Sequence, residues 1–402
     1  ETGAAADRVG DPVDTEAVRN FTTTAESVLD GLAQSDPLRS TRLLSQLVHA
    51  HVLRDVPAAA EYLRRLEQLP PCNEVGAAAE VHVVQQVCAY RLEVVAHPAE
   101  PGHLSAGAAL RATFEREGAL VAAVLTATIE VAAHLQVGTP VPGSVRAAIE
   151  GGAERLGRPD LLLALELADL GVTIGSEPLD AADLRLGEVL ALATQLGTAP
   201  AVLFHTIALR REQLRAAELL PLVMAMGVAA PGPSVDVVAS ICLREQDETE
   251  AAADRLELAT SALVAGRTDW TAPGAAALVL DESSSVGAPL TDTAADRCAS
   301  LLAPHHGAML LVAQVGMHLG PADRYLALAA AARGDLRRFD QLNRDATALA
   351  RTAGLTNWAA WCELDRLRGG LDDVDVAALR RTARRHGAAR LLQQLDLLTG
   401  SR

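Results

Sequence analysis

Apolar residues recur along most of the chain at the three-to-four-residue spacing of amphipathic helices, and short polar turns separate these segments. No run of strict apolar–polar alternation bounded by turns predicts a strand. One short apolar run, residues 309–315, lies between the His305-His306-Gly307 turn and Gly316, and we interpret it as a short buried helix. The predicted helices cover residues 15–34, 37–54, 57–68, 75–95, 103–117, 119–136, 143–156, 159–174, 181–195, 199–213, 214–227, 234–246, 248–265, 273–284, 291–303, 308–318, 321–333, 335–353, 357–369, 373–386 and 388–398.

Glycine and proline mark the ends of these helices. Gly232-Pro233 and Gly320-Pro321 each place a Gly after one predicted helix and a Pro at the start of the next. This asymmetry is typical because Gly tolerates the left-handed backbone of a helix end, whereas Pro lacks an N–H that a helix start leaves unpaired. Asp335 stands at the start of the helix predicted at 335–353, where its side chain can cap free N–H groups.

Helical hairpins stacked in one continuous array are the predicted architecture. Two helices with their turns occupy roughly 35–45 residues, as in tetratricopeptide-like and related solenoids, whose hairpins bury their apolar faces against their neighbours. We predict an all-α fold, a right-handed α-solenoid of degenerate tetratricopeptide-like helical hairpins. Its predicted parts are a flexible N-terminal segment at 1–14, N-terminal helical repeats at 15–157, and C-terminal tetratricopeptide-like repeats at 158–399 that continue them.

Composition agrees with a helical array and excludes several kinds of chemistry. Half of the residues are hydrophobic by type, but aromatic residues make up only 2%, and the abundant Ala and Leu are strong helix formers. Every basic residue is Arg, because no Lys occurs. A nucleotide-binding P-loop, a kinase and a Schiff-base enzyme each need a Lys. Any such module must therefore lie outside this chain, for which we expect no catalytic activity and no cofactor.

Charge and cysteine content narrow the choice of partner and compartment. A formal net charge of −16 argues against a nucleic-acid-binding surface, so we expect nucleic-acid contact only through modules outside this chain. The five Cys residues are widely spaced and form no C-x-x-C pair, which is typical of buried, reduced thiols in a cytoplasmic protein. Charged residues or His interrupt each apolar run before the roughly 20 residues that a membrane span needs. We predict a cytoplasmic protein without a membrane partner.

Several segments together resemble one family of helical regulators. They are residues 204–232 with the run Arg210-Arg211-Glu212-Gln213, Asp269-Trp270 before an Ala-rich helix, residues 301–326 with Gly307, Gly316 and Gly320-Pro321, and residues 350–358 with Asn357-Trp358. These motifs resemble the C-terminal helical region of actinobacterial signal-transduction ATPases of the MalT/LuxR type, some of which also carry a nucleotide cyclase domain. The resemblance covers about residues 160–395, whereas the N-terminal third shares only the general helical character of that region.

This resemblance implies a regulatory function. In such proteins the helical region follows a nucleotide-binding module and often accompanies a DNA-binding helix-turn-helix. The chain would then be a protein-interaction or inducer-sensing scaffold that gates the attached modules. Its expected partners are another protein or those regulatory modules, and a small-molecule inducer is a further candidate. Two alternatives stay open, namely a stand-alone α-helical enzyme with an acidic cavity and a purely structural spacer.

The first candidate interaction site is the group Arg210, Arg211 and Glu212 at the end of a predicted helix. We interpret the contacts of these residues as local. Arg side chains near a helix C-terminus bind its free carbonyl groups, and Glu can pair across the following turn. The alternative is a contact in a binding groove, since solenoids bind partners on their concave face.

The second candidate interaction site is a basic stripe near the C-terminus. Helical spacing places Arg380 beside Arg384 and Arg381 beside Arg385, and Arg390 with His386 belongs to the same charge cluster. A solvated stripe that balances an acidic chain is one interpretation. Contact with a phosphate, DNA or an acidic neighbour is the other.

Other polar and aromatic groups are interpreted as structural. Residues 281–285 are expected to form a solvated polar loop. Cys298, His305, His306 and His318 follow no known zinc spacing, so no metal site is predicted. The large aromatic residues are expected to be buried in the core, between helices rich in Ala. They are Trp270, Trp358 and Trp361.

Overall fold

The computed structural model describes residues 15–53, 55–70, 75–229, 231–266, 271–312, 317–371 and 373–400. These ranges contain twenty α-helices, three short 3-10 helices and one two-stranded sheet, so the predicted all-α class is confirmed. The segment at 1–14, Cys72, Asp269 and Trp270, to which predictions also apply, lies outside the described residues. The α-helices are α1 (Thr15–Ser35), α2 (Pro37–His51), α3 (Val56–Glu67), α4 (Val75–Ala96), α5 (Gly102–Glu117), α6 (Leu120–Gln136), α7 (Gly143–Leu156), α8 (Asp160–Ser176), α9 (Leu179–Gln195), α10 (Leu203–Glu212), α11 (Leu220–Ala229), α12 (Pro233–Arg244), α13 (Thr249–Val264), α14 (Ala272–Val286), α15 (Asp292–Leu302), α16 (Ala322–Ala332), α17 (Leu336–Thr352), α18 (Thr356–Arg368), α19 (Val376–His386) and α20 (Ala389–Gly400).

Side-chain caps begin several of these helices. The Asp335 carboxylate accepts a hydrogen bond from the Arg338 backbone N–H at 3.0 Å, as its position before α17 predicts. The same type of cap starts α2, α3, α15 and α19, at Asp36, Asp55, Thr291 and Asp375. Each cap satisfies one N–H group that the first helical turn leaves without a partner.

The helix predicted at 308–318 is wrong, because this part of the chain forms a β-hairpin. Strand β1 (Met309–Val312) pairs antiparallel with β2 (Met317–Pro321), and residues 313–316 between them lie outside the described residues. Both strands are almost completely buried. A short apolar run that is buried on both faces carries no period that separates strand from helix, so the sequence pattern was ambiguous here.

The β-hairpin lies between helices from distant parts of the chain. Strand β1 contacts α6 and α14, and β2 contacts α8, α10, α16 and α17. His318 of β2 and His205 of α10 both approach Gly171 of α8, where an added Cβ would lie 3.4 Å and 3.7 Å from their side chains. The hairpin therefore fills an interior position that brings the middle and the C-terminal part of the chain together.

Helices that are far apart in sequence also contact one another directly. Helix α8 packs against α18, and α10 packs against α20. The ring of Trp358 in α18 lies so close to Gly175 in α8 that an added Cβ would meet it at 2.7 Å. One hydrophobic core accordingly extends from Leu163 to Leu395. Contacts thus join helices across long sequence distances as well as helices that follow one another along the chain.

None of the helices in the described ranges is both long and apolar enough to cross a bilayer.

Candidate functional site

A cluster of charged side chains is buried or half-buried where α10, α12, α14, α16, α18 and α20 meet. We call it the buried ion cluster, and each member lies within 4.0 Å of an oppositely charged member. Its arginines are Arg211, Arg244, Arg324, Arg368 and Arg390, and its carboxylates are Glu212, Asp281, Glu282 and Asp365.

Asp281 of α14 lies at the centre of the buried ion cluster. It is 0% exposed, and its Oδ1 accepts a hydrogen bond from Arg324 Nη2 at 2.5 Å. Its Oδ2 accepts from Arg390 Nη2 at 2.8 Å and from Arg211. Burial alone would raise the pKa of Asp281, but the charges of Arg324, Arg390 and Arg211 outweigh this effect and hold the pKa well below its ordinary value.

Asp365 of α18 connects two further arginines to this centre. Arg324 Nε donates to Asp365 Oδ2 at 2.7 Å, and Arg368 Nη1 donates to Asp365 Oδ1 at 2.7 Å. Burial would lower the pKa of Arg324, yet the charges of Asp281 and Asp365 raise it well above its ordinary value. Arg324 and Asp281 therefore stay ionised inside the protein.

Trp361 of α18 completes the buried ion cluster on the side of α10. Its Nε1–H donates to Glu212 Oε2 at 2.7 Å. Arg390 Nη1 donates to the other Glu212 oxygen at 3.3 Å. The guanidinium groups of Arg390 and Arg324 lie 4.2 Å and 5.0 Å from the centre of the Trp361 ring, within the range of cation–π attraction.

The expected burial of the tryptophans as core residues is confirmed for the two that the structure describes. Trp358 is 2% exposed and Trp361 is 0% exposed. The cations that face the Trp361 ring are the guanidinium groups of Arg324 and Arg390.

Two sequence-based interpretations of this region are wrong. Residues 281–285 belong to α14 and do not form a solvated loop, and Asp281 and Glu282 are buried. Arg211 and Glu212 do not act locally, because their partners Asp281 and Trp361 lie 70 and 149 residues away. Pairing between such distant positions leaves no local pattern in the sequence.

Arg210 keeps a local contact and adds a longer one. Its Nη1 donates to the Gln213 side chain at 2.7 Å and to Asp183 of α9 at 2.9 Å. Arg211 and Glu212, in contrast, are 4% and 1% exposed. The structure thus separates the first candidate interaction site, with Arg210 near the surface and the other two residues in the interior.

The carboxylates of the buried ion cluster are arranged for structure. Glu212, Asp281, Glu282 and Asp365 all accept hydrogen bonds from arginines. A general acid or base works best when its pKa lies near the operating pH, whereas the pKa of Asp281 is shifted in the opposite direction. The arrangement can hold six helices in register through charge-assisted hydrogen bonds.

The basic stripe of α19 is largely on the surface, as the helical spacing predicts. Arg381, Arg384 and Arg385 are exposed, and Arg380 is half-buried. Arg380 donates to Asp396 of α20 at 2.6 Å. Within the described part of the chain, neither Arg384 nor Arg385 forms an ion pair with an acidic side chain. These two guanidinium groups are therefore available to a partner.

Two residues that the sequence groups with the stripe do not belong to it. Arg390 starts α20 and points into the buried ion cluster. His386 is buried, where its ring bonds to the Thr356 hydroxyl at 2.7 Å and to the Glu177 carbonyl at 2.9 Å. His386 lies on the buried side of α19 with Leu379 and Ala383. Arg390 follows the turn at Gly387, which ends α19 with a backbone φ of 64°.

The described histidines and cysteines are distributed as structural residues. No three His, Cys, Asp or Glu side chains in the described ranges are grouped so that they could hold a metal ion. Burial lowers the pKa of both His205 and His318 to about 4, so both rings are neutral near pH 7. The four described cysteines are buried free thiols, namely Cys88, Cys242, Cys298 and Cys362.

No family model matches this chain, and a comparison with curated proteins returns no match.

Proposed function

We propose that this chain is a non-catalytic arm of a larger cytoplasmic regulator, and that it binds a protein partner or senses an inducer. We further propose that its hairpins are degenerate tetratricopeptide-like units of a right-handed α-solenoid. Support comes from the resemblance of residues 160–395 to MalT/LuxR-type regulators, and from the α-helices that make up most of the described residues. Attached regulatory modules, including any that bind nucleotide or DNA, would lie outside this chain.

The observation that carries this proposal is the contrast between interior and surface charges. The acids of the buried ion cluster are all engaged by arginines, and they offer no free group to a substrate. Arg384 and Arg385, on the other hand, project from α19 without an acidic partner among the described residues, although the chain carries a net charge of −16. An exposed basic stripe on a rigid helix is suited to an acidic surface of another protein.

The first experiment compares two matched pairs of exposed arginines. The double variant Arg384→Gln/Arg385→Gln removes two charges from the basic stripe. The control Arg337→Gln/Arg338→Gln removes two charges from α17, where both residues are also exposed and adjacent. Each protein is immobilised and exposed to an extract of the source cells, and the captured proteins are quantified by mass spectrometry.

We expect the wild-type chain and the α17 control to retain a common partner that the α19 variant loses. The difference in capture between the wild type and the α19 variant should become smaller as the salt concentration is raised, because screening weakens contacts between exposed charges. Equal capture by all three proteins would remove the stripe from the interface. If no partner is captured and no small molecule raises the melting temperature of the chain, the proposed function loses its support.

A further inference from the structure

The C-terminal helix of the described residues, α20, is attached to the protein through a small buried surface. Only three of its twelve residues are buried, namely Arg390, Leu391 and Leu395. Helix α18 has ten buried residues among thirteen. Because stability depends on buried apolar area, α20 is held much more weakly by apolar contacts than the helix beside it.

Arg390 is the polar anchor of α20. Its side chain is 7% exposed and donates to Asp281 at 2.8 Å, to Glu212 at 3.3 Å and to the Ser285 hydroxyl at 3.3 Å. Its guanidinium also faces the Trp361 ring at 4.2 Å. Three further hydrogen bonds to α20 lie nearer to solvent. They are Arg368 to Gln394, and Arg380 to Asp396 and Thr399.

The positive and negative charges of the buried ion cluster become equal in number when Arg390 is removed. The cluster has five arginines and four carboxylates, so the other four arginines match the acids in number. Asp281 would keep its bonds to Arg211 and Arg324, and Glu212 would keep the bond from Trp361. Withdrawal of Arg390 therefore leaves Asp281 paired with two arginines. Glu212 keeps the Trp361 N–H as a donor but loses its only ion pair among the described residues.

Release of Arg390 also returns a charged group to water, where it regains the hydration that burial removed. An apolar anchor of similar size would lose free energy on the same movement, because its surface would become exposed to solvent. We propose that α20 is a latch, which docks and releases as a unit through Arg390 while the other helices of the cluster remain folded.

The latch rests on the proposed function for its biological meaning, because release of a helix is a two-state movement through which an arm can signal to an attached module. The docking and release of α20 do not themselves depend on any partner. The arginines that the partner assay replaces, Arg384 and Arg385, lie outside the contacts of Arg390. Loss of partner binding and failure of the latch can therefore be observed separately.

Native-state hydrogen exchange of the whole chain, read by mass spectrometry, tests the latch. In the wild type, we expect amides of α20 to exchange at least about tenfold faster than those of α18, through an opening that leaves the rest folded. Arg390→Gln should raise the exchange of α20 by a further factor of about ten, with α10, α14 and α18 changed less than about threefold. The control Arg381→Gln, on the exposed face of α19, should change neither the exchange of α20 nor that of α10, α14 and α18.

A second variant covers the case in which Arg390→Gln does not fold. Leu395 is fully buried in α20, and Leu395→Ala weakens docking without removing a charge from the cluster. It should produce the same selective increase in the exchange of α20. The proposal is overturned if α20 exchanges together with α18 in the wild type. It is also overturned if the variants that fold raise exchange equally in α10, α14, α18 and α20.

Discussion

Replacement of Asp281 by Asn removes the negative charge at the centre of the buried ion cluster while keeping the size of the side chain. In the wild type, Arg211, Arg324 and Arg390 all donate to this carboxylate, which is closed to water. In Asp281→Asn, three guanidinium groups lose their common counter-ion. The amide also introduces donors into a site where it meets only donors.

The expected loss of stability follows from the acidic partners that each arginine keeps in Asp281→Asn. Arg324 retains Asp365, and Arg390 retains Glu212. Arg211 keeps only Glu282, whose carboxylate lies at 4.0 Å. Removal of one partner of a buried ion pair costs about 3–5 kcal/mol, because the remaining charge stays buried without compensation. We therefore expect Asp281→Asn to lower the free energy of unfolding by about 3–5 kcal/mol.

The matched control is Asp296→Asn on the surface. Asp296 accepts from Arg333 at 2.6 Å, but its side chain is 61% exposed. An exposed ion pair contributes less than about 1 kcal/mol, so this variant should unfold almost as the wild type does. Urea unfolding at pH 7.5 is followed by circular dichroism and by tryptophan fluorescence, since Trp361 lies within the cluster.

Two outcomes would refute this reasoning. Asp281→Asn could unfold within about 1 kcal/mol of the wild type, which would show that the cluster does not depend on its central carboxylate. Alternatively, Asp281→Asn and Asp296→Asn could lose equal stability, in which case burial would not determine the cost. A change in the urea dependence itself would indicate that the variant had altered the surface exposed on unfolding.

Two further predictions use the same urea measurement. A Cβ at Gly175 would lie 2.7 Å from the Trp358 ring, so Gly175→Ala should lower stability by about 1–3 kcal/mol through overpacking. Gly187→Ala, where nothing lies within 4 Å of an added Cβ in α9, should instead raise stability by up to about 1 kcal/mol. Burial lowers the pKa of His205 and His318 to about 4 in the folded chain, whereas an unfolded chain binds the proton near pH 6.5. Stability should therefore fall as the pH decreases from 6.5 towards 4, by about 2 kcal/mol per histidine at pH 5, and His318→Gln should make this dependence shallower.

The helices and their class could be predicted from the sequence because the information is local. Apolar periodicity, Gly and Pro at the turns, and Asp335 at the start of α17 all act within a few residues of the positions they determine. The exposed stripe of Arg381, Arg384 and Arg385 could be predicted for the same reason, since one helix carries all three residues.

The buried ion cluster could not be predicted, because its pairs join residues far apart in the chain. Arg324 and Asp281 are 43 residues apart, and Arg390 and Glu212 are 178 residues apart. The only local signal was the presence of charged residues inside a largely apolar helix, as at Asp323 and Arg324 in α16. A buried charge of this kind requires a partner, but the sequence does not identify it.

The β-hairpin was missed because its strands are buried on both faces. Alternation of apolar and polar residues is the sign of a half-buried strand, and β1 with the sequence Met-Leu-Leu-Val shows none. Gly307 precedes β1 and Gly320 lies near the end of β2, with backbone φ values of 75° and 84°. In the sequence they are equally compatible with turns between helices.

The contact between α10 and α18 can be measured directly with a double-mutant cycle on Glu212 and Trp361. These residues are 149 positions apart and share a buried hydrogen bond of 2.7 Å. Glu212→Gln and Trp361→Phe are measured singly and together by urea unfolding. If the two helices meet through this hydrogen bond, the two changes should be coupled by about 1 kcal/mol or more. Losses that add within about 0.5 kcal/mol would show that the two helices do not meet.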